Sequence, residues 1–272
     1  MQRIVAVAKK CEALSFDSVW MIDHLEMRPP IAYESQPIPD CWTTISALAS
    51  STNRIGIGSL VTCTLFRNPK YLVRVCETID KISKGRLIAG LGYGWFEKEF
   101  RSYGIGYSQT AIRISSCKQA AKLLKNKVPI WIGGSGEKST LKMVAEYADG
   151  CSLFGDPYTV SRKLKVLQDY CQDFGSNYDA LTKSKHSNVI IAENKDLVEQ
   201  KLRNIIPDES KWNDFAKSNI VGTPEECREQ VKQYVSAGID YFTLSFPDLF
   251  EQNCLDLFSN SVIGLTEQTV RV

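Results

Sequence analysis

Short apolar runs alternate with amphipathic stretches along this chain. The apolar runs cover Phe16–Ile22, Arg54–Val61, Gly85–Gly92, Val128–Ile132, Gly150–Phe154, His186–Ala192 and Asp240–Phe246. They are too continuous for strands with one wet face and read as buried strands. Between them lie helical patterns to about Leu14, over Cys41–Ser51, Pro69–Ile82, Glu97–Tyr103, Ile112–Leu124, Glu137–Tyr147, Tyr158–Phe174, Asp196–Ile205 and Pro224–Ala237, with a last one to about Phe258. A Pro-rich loop runs from Arg28 to Pro39. Strand–helix alternation predicts a parallel sheet covered by helices. The nearest architecture is a TIM-type (β/α)8 barrel, one strand short, in a single domain over residues 1–272. A doubly wound open sheet is the alternative. It lacks support, because no G-x-G-x-x-G fingerprint follows a strand.

In such a barrel the residues just past each strand share one face, and that face carries the chemistry. Val128–Ile132 ends in Gly133, Gly134, Ser135 and Gly136, and a helical pattern starts at once. Backbone N–H groups at a helix start favour an anion, usually phosphate, so this turn is the expected phosphate cradle. A plain tight turn is the structural alternative. Asp23 and His24 follow the first strand, and an imidazole suits acid–base work. A loop histidine merely held by Asp23 is the competing reading. Glu97 and Glu99 follow a glycine-rich turn; each is a candidate acid or a helix-start carboxylate. Trp95 either stacks on a flat ring or fills core. Ser59, Leu60, Thr62 and Ser152 complete the strand-end set. His186 is read as opening a strand at the opposite end, in a structural role.

Composition narrows the function classes. With 33 basic against 31 acidic residues, the net charge of +2 offers no nucleic-acid or membrane signature. Nine cysteines, none in a Cys-x-x-Cys pair, read as buried free thiols in a reducing cytoplasm rather than as metal ligands. The expected partners are a small-molecule substrate and a second copy of the chain.

With these residues placed, the chain resembles the luciferase-like monooxygenase superfamily, and within it the coenzyme F420-dependent oxidoreductases. The matching segments are Phe16–His24, Thr52–Gly58, Arg67–Pro69, Gly85–Glu99, Pro129–Lys138, Ala145–Gly150, Val221–Glu226 and Ala237–Asp240. The resemblance implies an oxidoreductase that holds F420, or alternatively FMN, at the carboxyl ends of the strands. Its phosphate would lie on Gly133–Gly136. His24 would bind substrate or move its proton, oriented by Asp23, and Ser59-Leu60 would carry a non-proline cis peptide behind the ring. Reduced FMN activating oxygen, as a monooxygenase, is the alternative chemistry; a non-catalytic flavin-binding paralogue is the alternative class. Two departures stand out: the family's first strand has no match before Phe16, and the segment around 106–128 is short.

Overall fold

A computed structural model describes residues 1–27, 36–134, 136–250, 253–263 and 271–272. The Pro-rich loop expected at 28–39 lies largely outside them, as does Ser135. The strands are β1 (Ser18–Met21), β2 (Glu26–Met27), β3 (Gln36–Pro37), β4 (Gly56–Ser59), β5 (Thr62–Cys63), β6 (Leu87–Gly92), β7 (Ile130–Gly133), β8 (Gly150–Leu153), β9 (Thr182–Ile191), β10 (Ile220–Gly222) and β11 (Tyr241–Ser245). The helices are α1 (Gln2–Ala13), α2 (Cys41–Ser51), α3 (Pro69–Ser83), α4 (Glu97–Ser102), α5 (Thr110–Leu124), α6 (Thr140–Tyr147), α7 (Pro157–Phe174), α8 (Lys195–Ile205), α9 (Trp212–Lys217), α10 (Pro224–Ser236) and α11 (Cys254–Ser261).

The main sheet runs β1-β4-β6-β7-β8-β9 with every pair parallel, and β11 and β10 both pair with β9. β5 continues the line of β4 along β6. The small β2–β3 pair is antiparallel and separate. The sheet curls on itself: Trp20 of β1 lies 4.7 Å from Trp131 of β7, which meets Tyr241 of β11 at 4.9 Å. Rings from strands that are not neighbours meet only inside a barrel. Glycines make room for them, since a Cβ on Gly58 would stand 2.3 Å from the Trp20 ring, and one on Gly150 2.7 Å from the Trp131 indole nitrogen.

Between β1 and β11, where the resemblance places a further strand, run Arg271 and Val272. The Val272 carbonyl accepts from Asp17 N at 2.6 Å and Ser18 N at 3.3 Å, and Arg271 O accepts from Phe242 N at 2.8 Å. The short strand β10, absent from the sequence-based assignment, pairs with the upper end of β9. It is only three residues long and shares its Gly-Thr-Pro with the start of α10.

The outer faces of the strands and the inner faces of the helices form the main core, from Ala8 to Val272. Polar side chains close the helix ends, as the sequence chemistry requires. Asp40 caps α2, Asn68 caps α3 ahead of Pro69, Asp156 caps α7 ahead of Pro157, and Thr223 with Glu226 forms a capping box on α10. All nine cysteines are buried and free. Among the described residues no helix is long and apolar enough to cross a membrane.

Candidate active site

β1 delivers Asp23 and His24 to the carboxyl-end face, and α4 brings Glu99 to meet them. His24 Nδ1 lies 3.0 Å from Glu99 Oε2. The other carboxylate oxygen accepts from Leu25 N, and from Glu26 N at 3.3 Å. Glu99 is 1% exposed, whereas the His24 side chain keeps 34% of its surface open. Burial pushes the Glu99 carboxyl up. Hydrogen bonds from His24 and the two backbone N–H groups outweigh it and hold the group below the usual carboxylate range. An ionised Glu99 only accepts, so Nδ1 of His24 carries the hydrogen and Nε2 is left to take a proton. This tautomer follows from the hydrogen-bond network. Trp95 sits edge-on to the His24 ring at 6.0 Å and is 72% exposed.

Beside this pair the barrel mouth is floored by Val61, joined to Leu60 by a cis peptide. A Cβ on Gly92 or Gly133 would stand 2.5 or 2.7 Å from the Val61 side chain. The glycines therefore let one branched side chain fill the centre of the mouth and present a flat apolar surface. Next to it Gly133 ends β7, and Gly134 adopts φ +145°, a conformation that favours glycine. Gly136 O accepts from Thr140 N at 3.0 Å and Leu141 N at 3.3 Å, so α6 starts at Thr140. Residues 137–139 form a turn instead of the helix start expected at Glu137. Among the described residues their N–H groups meet no acceptor. A side-chain-poor loop, open backbone donors and an adjacent apolar plate fit a ligand with a phosphate and a flat ring.

The far wall is β8, β9 and β11. Phe154 lies against His186 at 5.4 Å, and His186 Nδ1 is 3.3 Å from Thr243 Oγ1. A level lower, Ser152 and Ser184 pair in register, each buried with a hydroxyl that meets no partner among the described residues. An open cavity of about 850 Å³ lies at the opposite end of the strands, lined by Lys125–Pro129, Ala145–Asp149 and Phe174–Ser176. It holds none of these groups. No described cluster of His, Cys, Asp and Glu could hold a metal.

Comparison with known proteins agrees with this arrangement. Residues 1–115 match the luciferase-like monooxygenase family. Along nearly its full length the chain is 23% identical to an F420-dependent glucose-6-phosphate dehydrogenase of Amycolatopsis mediterranei, covering 96% of this chain and 93% of that one. It is 29% identical to a 5,10-methylenetetrahydromethanopterin reductase of Methanolobus tindarius, over 54% of this chain and 48% of that one. A solved F420-dependent secondary alcohol dehydrogenase, in complex with an F420-acetone adduct, superposes with a TM-score of 0.80 at 18% identity, over 98% and 95% of the two chains. That likeness shows a TIM-type barrel fold.

Within the barrel several sequence-based expectations need correction. Asp23 does not orient His24: its Oδ2 accepts from Arg67 Nη1 at 2.6 Å and Cys63 N at 3.0 Å. Burial pushes the Asp23 carboxyl up to about 6, against the pull of Arg67, and it is an anion at neutral pH. Glu97 is exposed and pairs with Arg101 at the surface. The cis peptide joins Leu60 to Val61, one residue later than Ser59-Leu60. Ser59 Oγ donates to Gly90 O at 2.9 Å, tying β4 to β6 rather than facing a ligand. Thr62 pairs in register with Leu91, on the face turned away from Gly90 and Trp131, so its hydroxyl points out of the mouth. Leu60 donates its N–H to Met21 O at 2.8 Å. His186 is the fifth residue of β9, not its first, and faces the barrel interior. Sequence reasoning assigned no role to Val61, Arg67 or Thr243. Arg67, inside the segment quoted for the resemblance, was the one carrying a signal.

Proposed function

We propose that this chain is an F420-dependent oxidoreductase that passes hydride between the deazaflavin and a small organic substrate. The relatives' named activities support F420, and the single observation that carries the chemistry is the His24–Glu99 pair at the mouth. Val61 would lie behind the ring, and Gly133, Gly134 and Gly136 with the backbone of the following turn would hold the phosphate. Ser135 belongs to the same turn by sequence. Bound there, the deazaflavin supplies a ring carbon that accepts or releases hydride.

The protein's own part is proton handling and positioning. Nε2 of His24 takes the hydroxyl proton as an alcohol is oxidised, or returns it when a carbonyl is reduced. Glu99 fixes the ring orientation and stabilises the imidazolium. Asp23, held by Arg67, anchors the β1 end to β5 and to the start of α2 and acts through position alone. Trp95 shields His24 from one side.

Titration of the purified protein with F420 and with FMN tests the reading. Saturable F420 binding, with turnover lost in His24→Ala while affinity is kept, supports it. FMN binding with oxygen consumption would favour the monooxygenase chemistry of other luciferase-like proteins. Binding without turnover across a broad panel would favour a non-catalytic paralogue.

A further inference from the structure

The far wall of the mouth is held from behind by two buried cations. The β8–β9 ladder ends with Leu153 opposite Lys185, so Phe154 and His186 are the first residues beyond it. There side chains take over as donors to the backbone. Lys163 Nζ donates to Phe154 O at 2.9 Å, Tyr234 Oη to Gly155 O at 3.1 Å, and Lys185 Nζ to His186 O. Lys185 Nζ also donates to Ser187 Oγ and to Ser218 O, at 3.0 Å each. Three acceptors match the three hydrogens of an ammonium group. The Tyr234 ring covers the same nitrogen at 5.1 Å.

Lys163 is 6% exposed and Lys185 1%. Among the described residues neither bonds a carboxylate; their acceptors are carbonyls and one hydroxyl. The ionisable groups facing Lys185 are Lys163 from α7, Tyr234 from α10 and His186 on its own strand. The other charges acting on Lys163 are Glu137 and Arg162, which pair with each other at 2.6 Å. Burial, and then the Lys163 charge, push the Lys185 ammonium down to about 7. A neutral amine keeps only two hydrogens. On losing its proton Lys185 therefore releases one of its three acceptors, two of which belong to His186 and Ser187.

We propose that Lys163 and Lys185 are positioning residues of the mouth: as ammonium groups they hold the Phe154 and His186 carbonyls, and so fix the two rings that meet at 5.4 Å on the far wall. Loss of one proton from Lys185 lets the His186 ring shift, which makes the wall respond to pH. The functional weight of this rests on the reading of the mouth as the cofactor and substrate site.

The chain has two histidines, so the imidazole Hε1–Cε1 region of an NMR spectrum holds two resonances, and His24→Gln leaves that of His186 alone. Burial keeps the His186 imidazole neutral well above its value of about 4, so a step in its resonance from about pH 6 to about pH 9 reports its surroundings. The expected result is a step centred near pH 7, with the nuclear Overhauser contact between the His186 and Phe154 rings weakening above it. Lys185→Arg should hold the acid-side resonance throughout, and Lys185→Met should show no step. Lys163→Met, which removes the repulsion, should move the step to higher pH. Lysines with a merely structural role would lower the melting temperature of their Met variants without making the His186 resonance follow pH. No step in the wild type overturns the proposal, as does a step that survives in Lys185→Met or stays in place in Lys163→Met. If the Lys185 variants fail to fold, the wild type and Lys163→Met decide. F420 is titrated in parallel: a step without F420 binding removes the reading of the mouth and leaves the lysine role standing, and F420 binding without a step does the reverse.

Discussion

Glu99 Oε2 lies 3.0 Å from His24 Nδ1, across 75 residues of sequence. β1 and α4 are thereby joined at the point where the His24 imidazole opens on the barrel mouth. Glu99→Gln keeps an acceptor for Nδ1–H and removes the charge. Turnover is expected to fall by about ten- to a hundredfold and F420 affinity to stay within about twofold. A purely structural Glu99 would lower the melting temperature and leave kcat unchanged.

The backbone conformation at the mouth depends on glycine where Val61 sits. A methyl on Gly133 would stand 2.7 Å from the Val61 side chain. Gly133→Ala is expected to weaken F420 binding by about tenfold or more while costing about 1–3 kcal/mol of stability, read by titration and urea unfolding. Adding Val61→Ala, which clears the clash, should restore stability more fully than binding.

Much of this was legible in the sequence. The continuous apolar runs gave all seven major parallel strands, because strands buried on both faces need no polar alternation. Gly133–Gly136 stood out because three glycines at a strand end leave the turn nearly free of side chains. The partner of His24 was not legible. Asp23 is its neighbour in sequence, yet successive side chains leaving a strand point opposite ways. Asp23 therefore turns to Arg67 and Cys63, and Glu99 reaches His24 from another element. Glu97 and Glu99 looked alike as first-turn carboxylates, and helix phase separates them: one is in solvent, the other 1% exposed. His186 was misplaced because Lys183 and Lys185 broke the apolar pattern of β9. Both cations are in fact stem-buried, with Lys185 Nζ hydrogen-bonded to Ser187 Oγ at 3.0 Å and Ser218 O at 3.0 Å.

His186 makes stability depend on pH. Burial, and then the nearby Lys185 charge, push its imidazole down from 6.5 to about 4. Between those values the unfolded chain binds more protons than the folded one, so stability falls as pH drops through about 6.5 towards 4. The loss from this group is on the order of 3 kcal/mol when complete. Lys185, pushed down to about 7 by burial, adds a small slope of the same sign at the upper edge of that window, which His186→Asn leaves in place. Urea unfolding of the wild type and His186→Asn at pH 5 and pH 7 should show a shallower pH dependence in the variant. Equal slopes would mean that His186 keeps an ordinary pKa.

Val272, 7% exposed, bonds to the start of β1 while Arg271 bonds to β11. Val272→Asp places a carboxylate in that seam. It should lower stability by about 2–4 kcal/mol, measured by urea unfolding, with Val272→Ile near neutral. If the aspartate variant unfolds like the wild type, the seam is not held by these residues.

The account's central claim is that this mouth holds a deazaflavin under the His24–Glu99 pair. Equilibrium titration of the purified protein with oxidised F420, in direct competition with FMN, addresses it most directly. The account predicts saturable F420 binding at about one per chain, at least about tenfold tighter than FMN. Tighter binding of FMN, or no binding of F420 at millimolar concentration, would contradict it.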